Sequence, residues 1–205
     1  METKILSIYD PDALTLASVI LASGGLVAFP TDTVYGLGAL AFNDEAVSGI
    51  SDVKGRTAEK AIPILIGNLE QLSEVTTALD PKNEKLARRF WPGPLTLVLP
   101  RHPAIPDAVT PLQTVGVRIP DFPATIELLK KAGPLAVSSA NITGMGSSST
   151  ARGVQAQLDG KIALILDGGV TPGGIPSTVL ELQHGIPKIL REGPVTLEQI
   201  LEAIS

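Results

Sequence analysis

The 205-residue chain has no cysteine, only two histidines and 3% aromatic residues. Without a thiol, cysteine nucleophiles, thiolate metal sites and disulfides are all excluded. His102 and His184 lie far apart beside loop residues, with no second nitrogen or carboxylate at ligand spacing, so no protein metal site is expected. The missing cysteine also fits a reducing compartment. No apolar run reaches about 18 residues, and Met1-Glu2-Thr3-Lys4 lacks a basic segment followed by an apolar one. A soluble, cytoplasmic protein is the expectation. The net charge of −5 argues against a general electrostatic affinity for nucleic acid. Lys82, Lys85, Arg88 and Arg89 recur at near-helical spacing, a pattern that a solvated helix face also produces.

What is present is largely aliphatic, 44% hydrophobic against 18% charged. The length suits one domain over 1–205 with a sizeable core. Asp10-Pro11 caps a helix that stops at Gly24-Gly25, and Asn43-Asp44-Glu45 opens a second. Asp80-Pro81 marks a fresh start within a helical stretch from Leu69 to Trp91. Pro123 to Lys131 and Thr150 to Leu158 are also predicted helices. Leu26–Phe29, Ile62–Ile66, Pro94–Leu99, Val115–Ile119, Leu135–Val137 and Ile162–Leu166 read as strands. Thr178–Leu182 and Lys188–Leu190 flank Gln183-His184-Gly185 as an antiparallel hairpin. Thr196 with Gln199 forms a capping box for the last helix. The alternation predicts an α/β fold with a mixed sheet.

Several polar segments interrupt this pattern. Gly36-Leu37-Gly38-Ala39-Leu40-Ala41 matches a dinucleotide fingerprint, but the next helix is capped too late to hold a pyrophosphate there. Pro30-Thr31-Asp32-Thr33 leaves a strand end with two hydroxyls and a carboxylate, either as ligand groups or as a self-satisfied turn. Lys54-Gly55-Arg56 reads as a solvated pair at a helix end or as an anion clamp. Arg118 is a charge inside a predicted strand, which needs a partner or a pocket, and Arg191 repeats that theme. Trp91-Pro92-Gly93-Pro94-Leu95-Thr96 is a rigid turn. Ser138-Ser139-Ala140-Asn141 surfaces from a buried strand, and Gly144 to Thr150 follows it as a loop or a lid.

In their order, Pro30-Thr31-Asp32-Thr33-Val34-Tyr35-Gly36-Leu37, Lys54-Gly55-Arg56, Trp91 to Thr96, Val117-Arg118-Ile119-Pro120, Ser138 to Asn141, Ser177-Thr178-Val179 and Leu190-Arg191-Glu192-Gly193 resemble the YrdC-like family. These are threonylcarbamoyl-AMP synthases of tRNA modification. The resemblance runs from about Leu6 to Gly193 and is to the short, single-domain form. It implies a twisted mixed sheet with surrounding helices and a large concave pocket.

The implied activity is that of an L-threonylcarbamoyladenylate synthase, a nucleotidyltransferase. It joins L-threonine, bicarbonate and ATP into threonylcarbamoyl-AMP and pyrophosphate, with Mg²⁺ bridging the phosphates. Partner proteins would then carry the group to adenosine 37 of tRNA. The resemblance makes Lys54 and Arg56 catalytic, and Thr33 and Arg118 threonine-binding. ATP would meet Arg56, Ser139, Asn141, Ser177 and Arg191. Thr57, Leu65 and Phe122 stand where many relatives carry other residues, and the loss at Leu65 removes a polar contact to threonine. The alternative function is a double-stranded RNA or tRNA-binding module of the same fold.

Overall fold

The capped, alternating segments fold around one mixed ten-stranded sheet in a computed structural model that describes residues 2–55 and 60–205. In chain order the elements are β1 (Lys4–Ser7), α1 (Pro11–Ala22), β2 (Val27–Phe29), β3 (Gly36–Leu40), α2 (Asp44–Lys54), β4 (Ile64–Leu65), α3 (Leu72–Val75), α4 (Pro81–Phe90), β5 (Leu95–Pro100), β6 (Thr114–Arg118), α5 (Pro123–Ala132), β7 (Leu135–Ser139), α6 (Ala151–Leu158), β8 (Leu164–Asp167), β9 (Thr178–Gln183), β10 (Ile186–Arg191) and α7 (Leu197–Ile204). The strand order is β1-β8-β2-β3-β7-β4-β6-β5-β9-β10. Pairs β1/β8, β2/β8, β4/β6 and β5/β9 are parallel, and the rest are antiparallel.

The helix starts follow local chemistry. Asp10 accepts from the Asp12 amide ahead of Pro11, and Asp80 accepts from the Lys82 and Asn83 amides ahead of Pro81. Asn43 caps α2, which ends on Gly55 in the left-handed region at φ 61°. Both halves of the Thr196–Gln199 capping box are formed. The β9–β10 turn holds His184 and Gly185 at φ 52° and 78°, the doubly positive geometry of a two-residue hairpin turn.

Successive strand residues face opposite layers, as the pleat requires. Val27, Phe29, Leu135, Val137, Leu164 and Leu166 pack with α1 and α5 residues such as Ala17, Leu21, Leu128 and Leu129. Ala28, Ala136 and Ile165 face the larger layer, built with Ile50 of α2, Leu86 of α4, Val154 of α6 and Ile200 of α7. Each fully buried aliphatic side chain contributes roughly 1.5–3 kcal/mol, so both layers hold the sheet.

Two strands, β1 and β3, lie outside the sequence expectations. Glycines depress strand propensity in β3, yet they are what the packing demands there. A Cβ on Gly36 would stand 2.6 Å from Val137 Cγ1, and one on Gly38 would stand 2.8 Å from Phe29 Cε1. The Gly-x-Gly of this segment therefore accommodates strand neighbours and is not a dinucleotide loop. Two basic positions of α4 act as tethers to other segments, and a third pairs within the helix. Lys82 donates to the Gly185 carbonyl at 2.9 Å, Lys85 to Ser205, and Arg88 pairs with Glu84. Among the described residues, no helix is long and apolar enough to cross a membrane.

Candidate active site

Helices α1 and α5 cover only part of their face of the sheet, and the remainder is hollow. Pairing of Leu65 with Arg118, and of Gly36 with Ser139, puts these residues on one face. Gly116 lies on the same side, and a Cβ there would sit 3.0 Å from Thr96 Cγ2 and 3.4 Å from Pro63 Cβ. The sheet floor thus stays low, leaving a cavity of about 250 Å³ bordered by Thr33, Arg118, Ser139, Thr96, Ser177 and Arg191 among others. That is just below the usual small-molecule range of about 300–1,000 Å³. A nucleotide would have to extend from it over the rim.

At one end stands Arg118, 5% exposed. Its Nε donates to the Gly93 carbonyl at 2.9 Å, Nη1 to Thr33 Oγ1 at 3.2 Å, and Nη2 to Asp32 Oδ1 in an ion pair. The rigid Trp91–Pro94 turn is what presents the Gly93 carbonyl. The Gly93 amide in turn donates to Ile119 O at 2.9 Å, and the Trp91 indole N–H to Leu95 O at 2.6 Å. Burial pushes the Arg118 pKa below its ordinary value, Asp32 opposes that shift, and nearby Arg191 reinforces it. Asp32 also accepts from the Asp121 amide at 3.1 Å. It is the buried counter-ion of Arg118, a role the sequence did not reveal.

The opposite side is organised by Ser177. Thr96 Oγ1 and Ser177 Oγ lie 2.8 Å apart. Arg191 donates Nε and Nη2 to Ser177 O at 3.1 and 2.8 Å, and Nη2 also reaches Ser177 Oγ at 3.1 Å. Among the described residues Arg191 meets no carboxylate. Its pKa is lowered by the desolvation of its inner side. Arg118 brings its own counter-charge to the cavity, whereas Arg191 brings a net positive charge.

Lys54 and Asn141 meet at the turn that follows β7. Lys54 is 3% exposed. Its Nζ donates to the carbonyl of Ser139, to Asn141 O at 2.6 Å and, at 3.5 Å, to Ser139 Oγ and Asn141 Oδ1. Asn141 Nδ2 donates to the Ile142 and Met145 carbonyls at 2.9 and 2.7 Å. Neither residue borders the cavity. The pair shapes the turn that follows β7, while Ser139 reaches the cavity wall. Arg56 lies outside the described residues.

The loop from Gly144 to Ser149 is tied down in this structure. Ser148 is buried, and its carbonyl accepts from the Tyr35 amide at 3.0 Å. The Ser149 carbonyl accepts from the Thr171 amide at 2.9 Å. Tyr35, fully buried, donates its hydroxyl to Gly169 O at 2.8 Å and accepts from the Gly168 amide at 3.1 Å. Burial pushes its phenol up to about 12. Gly174 N donates to Thr33 O at 2.8 Å, binding the glycine-rich 168–176 segment to the Thr33 loop. No motif in the sequence pointed to Tyr35 as this anchor.

Among the described residues there is no cluster of three or more histidine or acidic side chains that could hold a metal ion. The donor set fits a cation that arrives on phosphate oxygens better than one held in a protein cage.

Comparison with known proteins gives a consistent result. The Sua5/YciO/YrdC family model, described as telomere recombination, matches residues 19–193. A threonylcarbamoyl-AMP synthase of Bacillus subtilis is 44% identical over 204 residues, covering 97% of this chain and 58% of that protein. A putative threonylcarbamoyl-AMP synthase of Mycobacterium tuberculosis is 38% identical, covering 90% of this chain and 85% of that one. The crystal structure of Pyrococcus abyssi Sua5 complexed with L-threonine superposes with a TM-score of 0.95 at 41% identity, covering 98% of this chain and 61% of that one. The chain therefore spans about three-fifths of the length of the Bacillus and Pyrococcus proteins.

Proposed function

This chain belongs to the Sua5/YciO/YrdC family, and on that premise we propose that it is a nucleotidyltransferase making threonylcarbamoyl-AMP from L-threonine, bicarbonate and ATP. The observation that carries the reading is the pair of unlike guanidinium sites on one cavity. Arg118 is neutralised by Asp32 and suits a zwitterionic amino acid, while the uncompensated Arg191 suits a phosphate. The L-threonine bound by the Pyrococcus relative and the AMP in the relatives' names call for both.

The reaction uses no covalent enzyme nucleophile, consistent with a chain that has no cysteine. The threonine nitrogen bonds to the carbon of CO₂ derived from bicarbonate and loses a proton, giving a carbamate. A carbamate oxygen then bonds to the α-phosphorus of ATP. The bond from that phosphorus to the bridging oxygen breaks, and pyrophosphate leaves with the electron pair. The task left to the chain is orientation and charge stabilisation.

In this assignment Arg118 and Thr33 hold the amino acid, and Ser139, Ser177 and Arg191 hold the nucleotide. Lys54 and Asn141 fix the Ser139 turn, and Arg56 adds charge at the phosphates as the family resemblance implies. Mg²⁺, bound through the phosphates, would neutralise charge on the leaving pyrophosphate. The product would pass to partner proteins that modify tRNA. The RNA-binding alternative has no comparable support: the chain is acidic and poor in the aromatics that stack bases.

Pyrophosphate release tests the reading. Release that requires threonine and bicarbonate together, with ATP and Mg²⁺, supports it; folded protein that releases none rules it out.

A further inference from the structure

We propose that the amino-acid end of the cavity selects its substrate by shape, against an apolar wall of Pro63, Leu65 and Val137, and therefore accepts L-valine alongside L-threonine. The proposal rests on the reading above and deepens it by defining the amino-acid class.

Leu65 is the register partner of Arg118, so its side chain lies beside the guanidinium on the cavity face. The Val137 amide donates to Pro63 O at 2.9 Å, which sets Val137 next to that residue. All three border the cavity, and Leu65 and Val137 are 4% and 6% exposed. A substrate held by its carboxylate on Arg118 therefore lays its side chain along hydrocarbon.

A count of polar valences shows that little remains there to recognise a hydroxyl. Thr31 Oγ1 spends its one proton on Val34 O at 2.7 Å. Thr31 Oγ1 also accepts from the adjacent Thr33 and Val34 amides at 3.1 and 3.3 Å, and with its own proton spent it can only accept in the 2.9 Å contact between the two hydroxyls, which makes Thr33 the donor. Thr33 Oγ1 also accepts from Arg118 Nη1, so it keeps one lone pair and no proton. Arg118 has used three of its five N–H groups, on Gly93, Thr33 and Asp32, and the remaining two match a carboxylate. Thr31, Thr33 and Arg118 together thus leave the substrate ammonium and the threonine hydroxyl a single acceptor, the Thr33 lone pair.

A site that does not hydrogen-bond a hydroxyl discriminates weakly against its methyl isostere, by about 10²-fold, whereas a dedicated polar site reaches about 10⁴–10⁵-fold. Serine keeps the hydroxyl but lacks the methyl that meets the wall, which is worth about 10-fold or more. Shape therefore counts for more than the hydroxyl.

The experiment measures kcat/KM for pyrophosphate release with ATP, Mg²⁺ and bicarbonate, supplying L-threonine, L-valine and L-serine in turn. The expected result is valine within about 100-fold of threonine, and serine below threonine by about 10-fold or more. V137T, which puts a hydroxyl on the wall with little change of shape, should widen the preference for threonine over valine. Valine poorer than threonine by more than about 10³-fold in the wild-type chain overturns the proposal and leaves the synthase reading intact. If no amino acid supports release, the synthase reading fails instead. Calorimetric titration of both amino acids then decides the wall alone: comparable affinities uphold it, and threonine binding without valine binding overturns it.

Discussion

Arg118 and Asp32 form an ion pair within the cavity wall, joining the end of β6 to the loop between β2 and β3. Both side chains are largely buried, at 6% and 11% exposure, so each depends on the other to offset lost hydration. Removing one partner strands the other charge. Asp32→Asn should cost about 3–5 kcal/mol of unfolding free energy. Urea denaturation reads that loss, and a double-mutant cycle with Arg118→Gln should return a coupling above about 1 kcal/mol. Additive losses would show that the pair is not a unit.

Arg191 should behave in the opposite way. It meets Ser177 and no carboxylate among the described residues, and it lies at the rim open to solvent. Arg191→Ala should lower kcat/KM for ATP by about 10-fold or more, while stability shifts by less than about 1 kcal/mol. Steady-state kinetics at varied ATP, paired with a melting curve, checks both halves. Arg191→Lys should recover only part of the activity, since an ammonium cannot reproduce the bidentate hold on Ser177.

Lys54 should prove structural in its effect on the β7 turn. Its ammonium serves the carbonyls of Ser139 and Asn141 from a position almost sealed from water. Lys54→Met keeps the stem and removes the donors, leaving those acceptors unsatisfied at about 1–3 kcal/mol each. Hydrogen exchange at residues 139–146 should quicken well beyond the change seen in α1. Unchanged protection there would contradict the tether.

Tyr35 predicts an alkaline limit. Its phenol is raised to about 12 in the folded state against 10.0 for the free group, chiefly by burial. The unfolded chain therefore ionises first, and stability falls as pH rises from about 10 to 12, by up to about 3 kcal/mol from this group. Below pH 10 the contribution is constant. Tyr35→Phe should lose about 1–3 kcal/mol at neutral pH by leaving the Gly168 amide without its acceptor. The variant should also flatten the decline above pH 10, as chemical denaturation at each pH would reveal.

Much of the architecture was legible because it is written locally. Asp10, Asn43, Asp80 and Thr196 cap the helices that follow them, and His184-Gly185 turns the hairpin. β3 was not legible, because its glycines look like a loop until Phe29 and Val137 are seen to occupy the space beside them. The family order along the chain was legible, and five of the residues it singled out, Thr33, Arg118, Ser139, Ser177 and Arg191, border one cavity. Their individual partners were not legible.

The sequence by itself determined which chemistry was open to this protein: no thiol, two histidines far apart along the chain, and a few cations and hydroxyls in a family order. Only the tertiary structure decided how those charges are used. Arg118 finds Asp32 across 86 positions, Lys54 finds Asn141 across 87, and Arg191 is left facing the cavity. The reason is physical. Whether a buried charge is a ligand site or a strut depends on which counter-group the sheet register brings within a few ångströms, and that distance is not encoded in any local stretch of chain.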